Sequence, residues 1–165
     1  MGQKILAAVV VLLLGALAYV TLFSEGQGKA PDITVTTLDG QQIALGKPGK
    51  PILVNFWATT CPGCIAEMPH LADMKRALGD RFILVAVAMA YDPIDQVKNF
   101  IRAHNYPFAF VHDSDGQIAQ AFGGVSLTPT SFLIAPNGNI VYKKIGEVDF
   151  DLVRQRIEQM SPLQP

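Results

Sequence analysis

The position of the two cysteines constrains this chain more than any other feature. Cys61 and Cys64 are three residues apart and follow an apolar run over residues 52–58. A run of this length without alternation is typical of a strand that is buried on both faces of a sheet. Pro62 suits the first turn of a helix, so the pattern predicts a strand that delivers two thiols to a helix N-terminus.

This placement favours redox chemistry. The N-terminus of a helix carries partial positive charge, which stabilises a thiolate relative to a thiol. The thiolate is the species that attacks a disulfide. Because Cys61 and Cys64 can also close into a disulfide and reopen, the sequence predicts electron exchange with disulfides.

Two other uses of the cysteine pair stay open on the residues alone. C-x-x-C can be half of a structural zinc site, but such sites usually have four ligands and the chain has no second cysteine pair. The histidines show no H-x3-5-H spacing; they are His70, His104 and His112. A purely structural disulfide is the second alternative, although so short a loop constrains the unfolded chain little.

Length and charge narrow the class of protein. A chain of 165 residues favours one domain. The formal net charge is −1 and no basic run exists, which argues against nucleic acid as a partner.

The N-terminus carries a second long apolar run, over residues 5–23. It is about long enough to span a bilayer, and Lys4 precedes it. We therefore expect residues 1–23 to form a signal-anchor, residues 24–30 a linker and residues 31–162 the folded domain. Cleavage after the small-x-small sequence at 16–18, which would release the domain, is the alternative.

Whether the segment is an anchor or is cleaved, we expect the rest of the chain to be exported. If Lys4 stays on the cytoplasmic side, the domain faces outward from the inner membrane, into the periplasm or its equivalent. That compartment is oxidising. The two cysteines would be oxidised there unless a partner reduces them.

The remaining pattern predicts an α/β protein with the order β-β-β-α-β-α-β-α-β-β-α. A hairpin with an Asp-Gly turn comes first, and buried strands alternate with helices after it. The predicted strands are 33–37, 41–45, 52–58, 82–88, 108–111, 131–135 and 140–145. The predicted helices are 62–79, 93–104, 116–122 and 150–160.

Three separate motifs resemble the thioredoxin superfamily over roughly residues 31–160. Trp57-Ala58-x-x-Cys61-Pro62-x-Cys64 matches the active-site run of that family, and Pro69 matches its kinked first helix. The run Thr128-Pro129-Thr130 before a strand matches its cis-proline loop. The resemblance implies a central mixed sheet flanked by helices, and a substrate-binding surface that includes Trp57, Pro62, Thr128 and Pro129. A position in the core is an equal alternative for Trp57.

The membrane-anchored TlpA/ResA-type reductases are similar in further features. They share the anchor, the Ala30-Pro31-Asp32 opening, the run Val54-Asn55-Phe56-Trp57-Ala58 and a central βα insertion, which residues 82–112 fit here. This resemblance implies a reductase of exported disulfide- or dithiol-containing proteins, for example in cytochrome c maturation. It also implies a membrane electron donor, and no cofactor or metal.

Glu67 is the third candidate catalytic residue. At 100° per residue it falls inside the apolar helix stripe around Cys64, where a carboxylate needs a partner or a raised pKa. It could accept the proton of Cys64, a role that the TlpA/ResA resemblance also implies. Asn55 replaces the buried Asp of thioredoxins, and Thr60 replaces the usual Trp before the first cysteine. If Pro69 distorts the helix, Glu67 instead turns to solvent.

Two other functions are alternatives for a chain with this dithiol. A peroxiredoxin-like thiol peroxidase would need P-x-x-x-[TS]-x-x-C, but Val54 and Ala58 occupy the corresponding positions. A dithiol copper chaperone would be expected to show C-x3-C with a histidine, a pattern that this chain lacks.

Overall fold

The computed structural model describes residues 28–161, so the apolar segment at 5–23 lies outside the part described. The strands are β1 (Thr34–Thr36), β2 (Gln42–Ala44), β3 (Ile52–Trp57), β4 (Ile83–Ala88), β5 (Ala109–His112), β6 (Thr130–Ile134) and β7 (Ile140–Ile145). The helices are α1 (Pro62–Leu78), α2 (Ile94–His104), α3 (Gln117–Ala121) and α4 (Phe150–Met160), and a 3-10 turn covers Gly79–Arg81. The predicted order is confirmed; the 3-10 turn was not expected.

A five-stranded mixed sheet in the order β5-β4-β3-β6-β7 forms the centre of the molecule. β4 pairs parallel with both β3 and β5, whereas β6 pairs antiparallel with β3 and β7. Because β3 lies in the middle, both of its faces are covered, and all six of its residues are buried. This explains why the run does not alternate with polar residues.

Two apolar clusters cover the two faces of the sheet. Side chains one residue apart on a strand point to opposite faces, so Leu53 and Trp57 join one cluster while Val54 and Phe56 join the other. The first cluster includes residues of α1, α2 and α4. The second includes residues of the hairpin and α3.

The hairpin and the insertion complete the domain. β1 and β2 form a separate antiparallel pair, and the Leu38 N–H donates to the Phe110 carbonyl on edge strand β5. Residues 82–112, the predicted βα insertion, contain β4, α2 and β5, and β5 extends the sheet by one parallel strand. Lys29 forms an isolated β-bridge with Asn139, so the first described residues lie beside the turn between β6 and β7. No helix between residues 28 and 161 combines the length and hydrophobicity that crossing a bilayer requires.

Candidate active site

The two cysteines lie where β3 passes into α1 and are joined by a disulfide, with their Cα atoms 5.3 Å apart. Cys61 is the N-cap of α1, and its Sγ accepts the Cys64 N–H at 3.2 Å. Cys61 is half-buried, whereas Cys64 is buried. In the reduced protein the helix N-terminus and this amide would stabilise a Cys61 thiolate, while Cys64 stays out of reach of an external disulfide.

A tight turn sets the position of Cys61. The Cys61 N–H donates to the Ala58 carbonyl at 3.1 Å, and the Ile65 N–H donates to the Cys61 carbonyl at 3.1 Å. Pro62 occupies the start of α1, where its fixed φ suits the first turn and its missing N–H is not needed. The strand, the turn and the helix therefore place the Cys61 sulfur at the helix N-terminus.

The predicted cis-proline loop packs against the cysteine loop. The Thr128–Pro129 peptide bond is cis, as expected. A Cβ on Gly63 would lie 3.9 Å from Cδ of Pro129, so the two loops are close neighbours. The Pro129 carbonyl accepts the Gly146 N–H at 2.8 Å, which ties the loop to the end of β7.

The surface beside this loop is open and apolar. Leu127 and Tyr91 are each 59% exposed, and Ile145, which pairs with Thr130, is 57% exposed. The Tyr91 hydroxyl lies 3.4 Å from the Thr128 hydroxyl.

A cavity of about 550 Å³ lies against the first residues of β4 and β5, and neither cysteine lines it.

Trp57 does not contribute to that surface. Its side chain has no exposed area, and its ring packs against Phe100 and Phe110, with centroids 5.0 and 5.8 Å away. The burial corrects the expectation that Trp57 lines the substrate-binding surface. Trp57 is instead part of the apolar cluster that includes Cys64 and against which Cys61 packs.

Glu67 is buried on α1, one turn after Cys64, and only 2% of it is exposed. The helix continues through Pro69, so Glu67 stays on the apolar face where the 100° spacing put it. Its Oε1 accepts the Val148 N–H at 3.3 Å, while its Oε2 has no partner in residues 28–161. Burial raises the pKa of Glu67 to about 7; the Val148 N–H opposes this rise and the charge of Glu147 adds to it.

Position 55, where thioredoxins have a buried Asp, has no acidic side chain in this protein. The Asn55 amide donates to the Ser131 hydroxyl at 2.9 Å, inside the sheet. Asn55 thus bonds to a neighbouring strand and has no carboxylate that could accept a proton, which leaves Glu67 as the buried carboxylate of the helix that holds both cysteines.

Asp92 was missed by the sequence reasoning. It is buried between β4 and α2, and its carboxylate accepts two hydrogen bonds from Thr59, two residues before Cys61. The one available signal was its place after a buried strand parallel to β3, because parallel strands end at the same edge of a sheet.

No group of three or more His, Cys, Asp or Glu side chains within residues 28–161 is arranged to hold a metal ion.

The raised pKa predicts how stability depends on pH in the oxidised protein. Between pH 4.5 and about 7 the unfolded chain releases the Glu67 proton and the folded protein retains it. The free energy of unfolding therefore falls as pH rises through this window and stays lower above it, by at most about 3 kcal/mol. We expect Glu67→Gln to remove this fall and to be more stable than wild type at pH 8.

Urea unfolding of both oxidised proteins at pH 5, 6, 7 and 8 measures the difference. Subtracting the two profiles cancels the other titrating groups, which both proteins share. Asp95→Asn, at an exposed position of α2, is the control and should keep the wild-type profile. Parallel profiles for wild type and Glu67→Gln would contradict the prediction.

Comparisons with known proteins agree with this geometry. The family model described as Redoxin matches residues 26–157. Thiol-disulfide oxidoreductase ResA of Bacillus cereus (strain ATCC 10987 / NRS 248) is 30% identical, and the alignment covers 97% of this chain and 98% of the relative.

Solved structures give the same result. StoA from Bacillus subtilis has a TM-score of 0.67 and 28% identity, with 74% of this chain and 93% of that chain covered. A thiol:disulfide interchange protein of the thioredoxin family from Chlorobium tepidum TLS has a TM-score of 0.68 and 28% identity, covering 81% and 94%. These similarities confirm the predicted thioredoxin-like fold.

Proposed function

This chain belongs to the Redoxin family and is a ResA-type thiol-disulfide oxidoreductase, and from this premise we propose that it reduces disulfides in exported proteins. One observation carries the proposal. The outer cysteine, Cys61, is held at the N-terminus of α1, and the inner cysteine, Cys64, is buried one turn before the buried carboxyl of Glu67. This arrangement separates an attacking thiol from a resolving thiol.

The reaction proceeds in two exchanges. The Cys61 thiolate attacks one sulfur of the target disulfide, which forms a mixed disulfide and releases the other target sulfur as a thiolate. Cys64 then gives its proton to the Glu67 carboxylate and attacks Sγ of Cys61. The second target thiol leaves, and the protein is left with the Cys61–Cys64 disulfide seen in the structure.

The open apolar surface beside the cysteines suits a polypeptide substrate. Pro62 is exposed, and the exposed side chain of Leu127 lies next to the Thr128–Pro129 bond. We propose that this surface holds the residues that flank the target disulfide. An apocytochrome c, as in cytochrome c maturation, is the kind of target that the ResA-type relationship suggests.

The direction of the reaction requires a source of electrons. Each cycle leaves Cys61 and Cys64 oxidised, so a dithiol donor must reduce them before the next cycle. We propose that this donor is a membrane protein, because residues 5–23 would tether the domain to the inner membrane.

A stopped-flow comparison tests the reductase activity. Reduced protein is mixed with a protein disulfide or with hydrogen peroxide at equal concentration, and the loss of thiols is followed. We expect the disulfide to oxidise the site faster, because Val54 and Ala58 do not supply the peroxidatic motif. Faster oxidation by peroxide would instead favour the thiol peroxidase, and a copper ion retained through reducing purification would favour the copper chaperone.

Cell fractionation tests the location. We expect the full chain in the inner-membrane fraction, with a mass that includes Met1 or Gly2, and we expect externally added protease to reach the domain once the outer envelope is opened. A soluble form that begins at Tyr19 would show that the segment is cleaved.

A further inference from the structure

A buried carboxylate outside the two-cysteine motif holds the backbone that leads to Cys61. Asp92 is 1% exposed and lies on the 89–93 loop, which joins β4 to α2. Its Oδ2 accepts the Thr59 N–H at 2.6 Å, and its Oδ1 accepts the Thr59 hydroxyl at 2.5 Å. Both carboxylate oxygens are thus bound to one residue, and charge-assisted bonds of this kind are stronger than neutral ones.

Thr59 is the second residue of the turn from Ala58 to Cys61. The Cys61 N–H closes this turn on the Ala58 carbonyl, so the path of residue 59 determines where Cys61 begins α1. Gln96 Oε1 also lies 3.3 Å from the Thr59 hydroxyl, at the exposed side of the same contact.

The 89–93 loop is itself held in place from two strands. The Met89 N–H donates to the Trp57 carbonyl at 3.0 Å, and the Asp92 N–H donates to the Met89 carbonyl at 3.0 Å. His112, at the end of edge strand β5, places Nε2 2.9 Å from the Asp92 carbonyl oxygen. The end of β5 therefore supports the loop that holds the cysteine turn.

We propose that Asp92 is a positioning residue for the nucleophile: through Thr59 it holds the Ala58–Cys61 turn and so keeps the Cys61 sulfur at the N-terminus of α1. The inference rests on the proposed function for its biological use. Its test does not, because the ionisation of Cys61 is measured without a substrate.

The test follows iodoacetamide labelling of each cysteine against pH in the reduced full-length protein. We expect Asp92→Ala to raise the midpoint for Cys61 by about one pH unit, because the sulfur leaves the helix N-terminus. Thr59→Val, which keeps the carboxylate but loses the hydroxyl, should raise it by less. Thr59→Ser retains both hydrogen bonds. Asp92→Asn keeps an oxygen for the Thr59 N–H, and its amide can donate to the Thr59 hydroxyl, so the second bond forms with its direction reversed. Neither variant should raise the midpoint.

Cys64 is the internal control for folding, since it is buried and should label slowly in every folded variant. If both cysteines of Asp92→Ala label at the same rate, that variant has lost the fold, and the Cys61 midpoint of Thr59→Val then tests the proposal. An unchanged Cys61 midpoint in Asp92→Ala, or in Thr59→Val where Asp92→Ala does not fold, would overturn the proposal. So would a lowered midpoint in Asp92→Ala, because Asp92 would then act on Cys61 through its charge and not through the turn.

Discussion

Replacement of Cys64 by alanine should stop the reaction at the mixed disulfide between Cys61 and its target. Cys61 keeps its position at the N-terminus of α1 and can still attack, but no second thiol is present to release the product. We expect multiple turnover to fall by roughly a thousandfold or more, because the two cysteines act as one unit. The adduct should accumulate in cells that express the variant, where non-reducing electrophoresis and mass spectrometry identify the partner.

Two further variants make the trapping experiment specific. Cys61→Ala should form no adduct, since Cys64 is buried and has no access to an external disulfide. The Cys61→Ala/Cys64→Ala double variant gives the background. Adducts that form through Cys64 in the Cys61→Ala variant would contradict the assignment of the nucleophile.

Glu67→Gln should slow the second exchange and leave the first largely intact. Cys64 would lose its proposed proton acceptor, whereas Cys61, at the half-buried end of the pair, attacks as a thiolate that does not depend on Glu67. A general base contributes about 10²–10⁴-fold, and we expect roughly tenfold to a hundredfold here because water can substitute in part. Stopped-flow turnover of a preformed mixed disulfide measures this step.

The pH profile separates a proton acceptor from a structural residue. Since the pKa of Glu67 is raised to about 7, the wild-type rate of resolution should increase with pH through this value as the carboxylate forms. Glu67 and the Cys64 thiol would titrate as a coupled pair. The variant should lack the inflection that belongs to Glu67.

Glu147→Gln is the matched control for this profile. It leaves Glu67 in place and removes a negative charge that raises its pKa, so the inflection should move to lower pH. Equal rates of resolution in wild type and Glu67→Gln at every pH would exclude Glu67 as the proton acceptor.

Much of the fold and part of the site were predictable from local patterns. Buried strands such as β3 have nearly unbroken apolar sequences because both of their faces are covered. Cys61, Pro62 and Cys64 are adjacent in sequence, so the helix start that holds them is a local structure. Helical periodicity predicted the burial of Glu67, and the structure excluded the alternative because the helix continues through Pro69.

Only the tertiary structure decided what these residues contact. Glu67 binds the backbone of a residue 81 positions away, and Asp92 binds one 33 positions away. Neither pairing has a periodic signal, because each depends on which strands become neighbours in the sheet. The burial of Trp57 has the same origin: its aromatic neighbours come from α2 and β5, which pack there only once the insertion has joined the sheet. Local patterns thus determined the elements and the cysteine pair, whereas the hydrogen-bond partners of Glu67 and Thr59 arose from long-range packing.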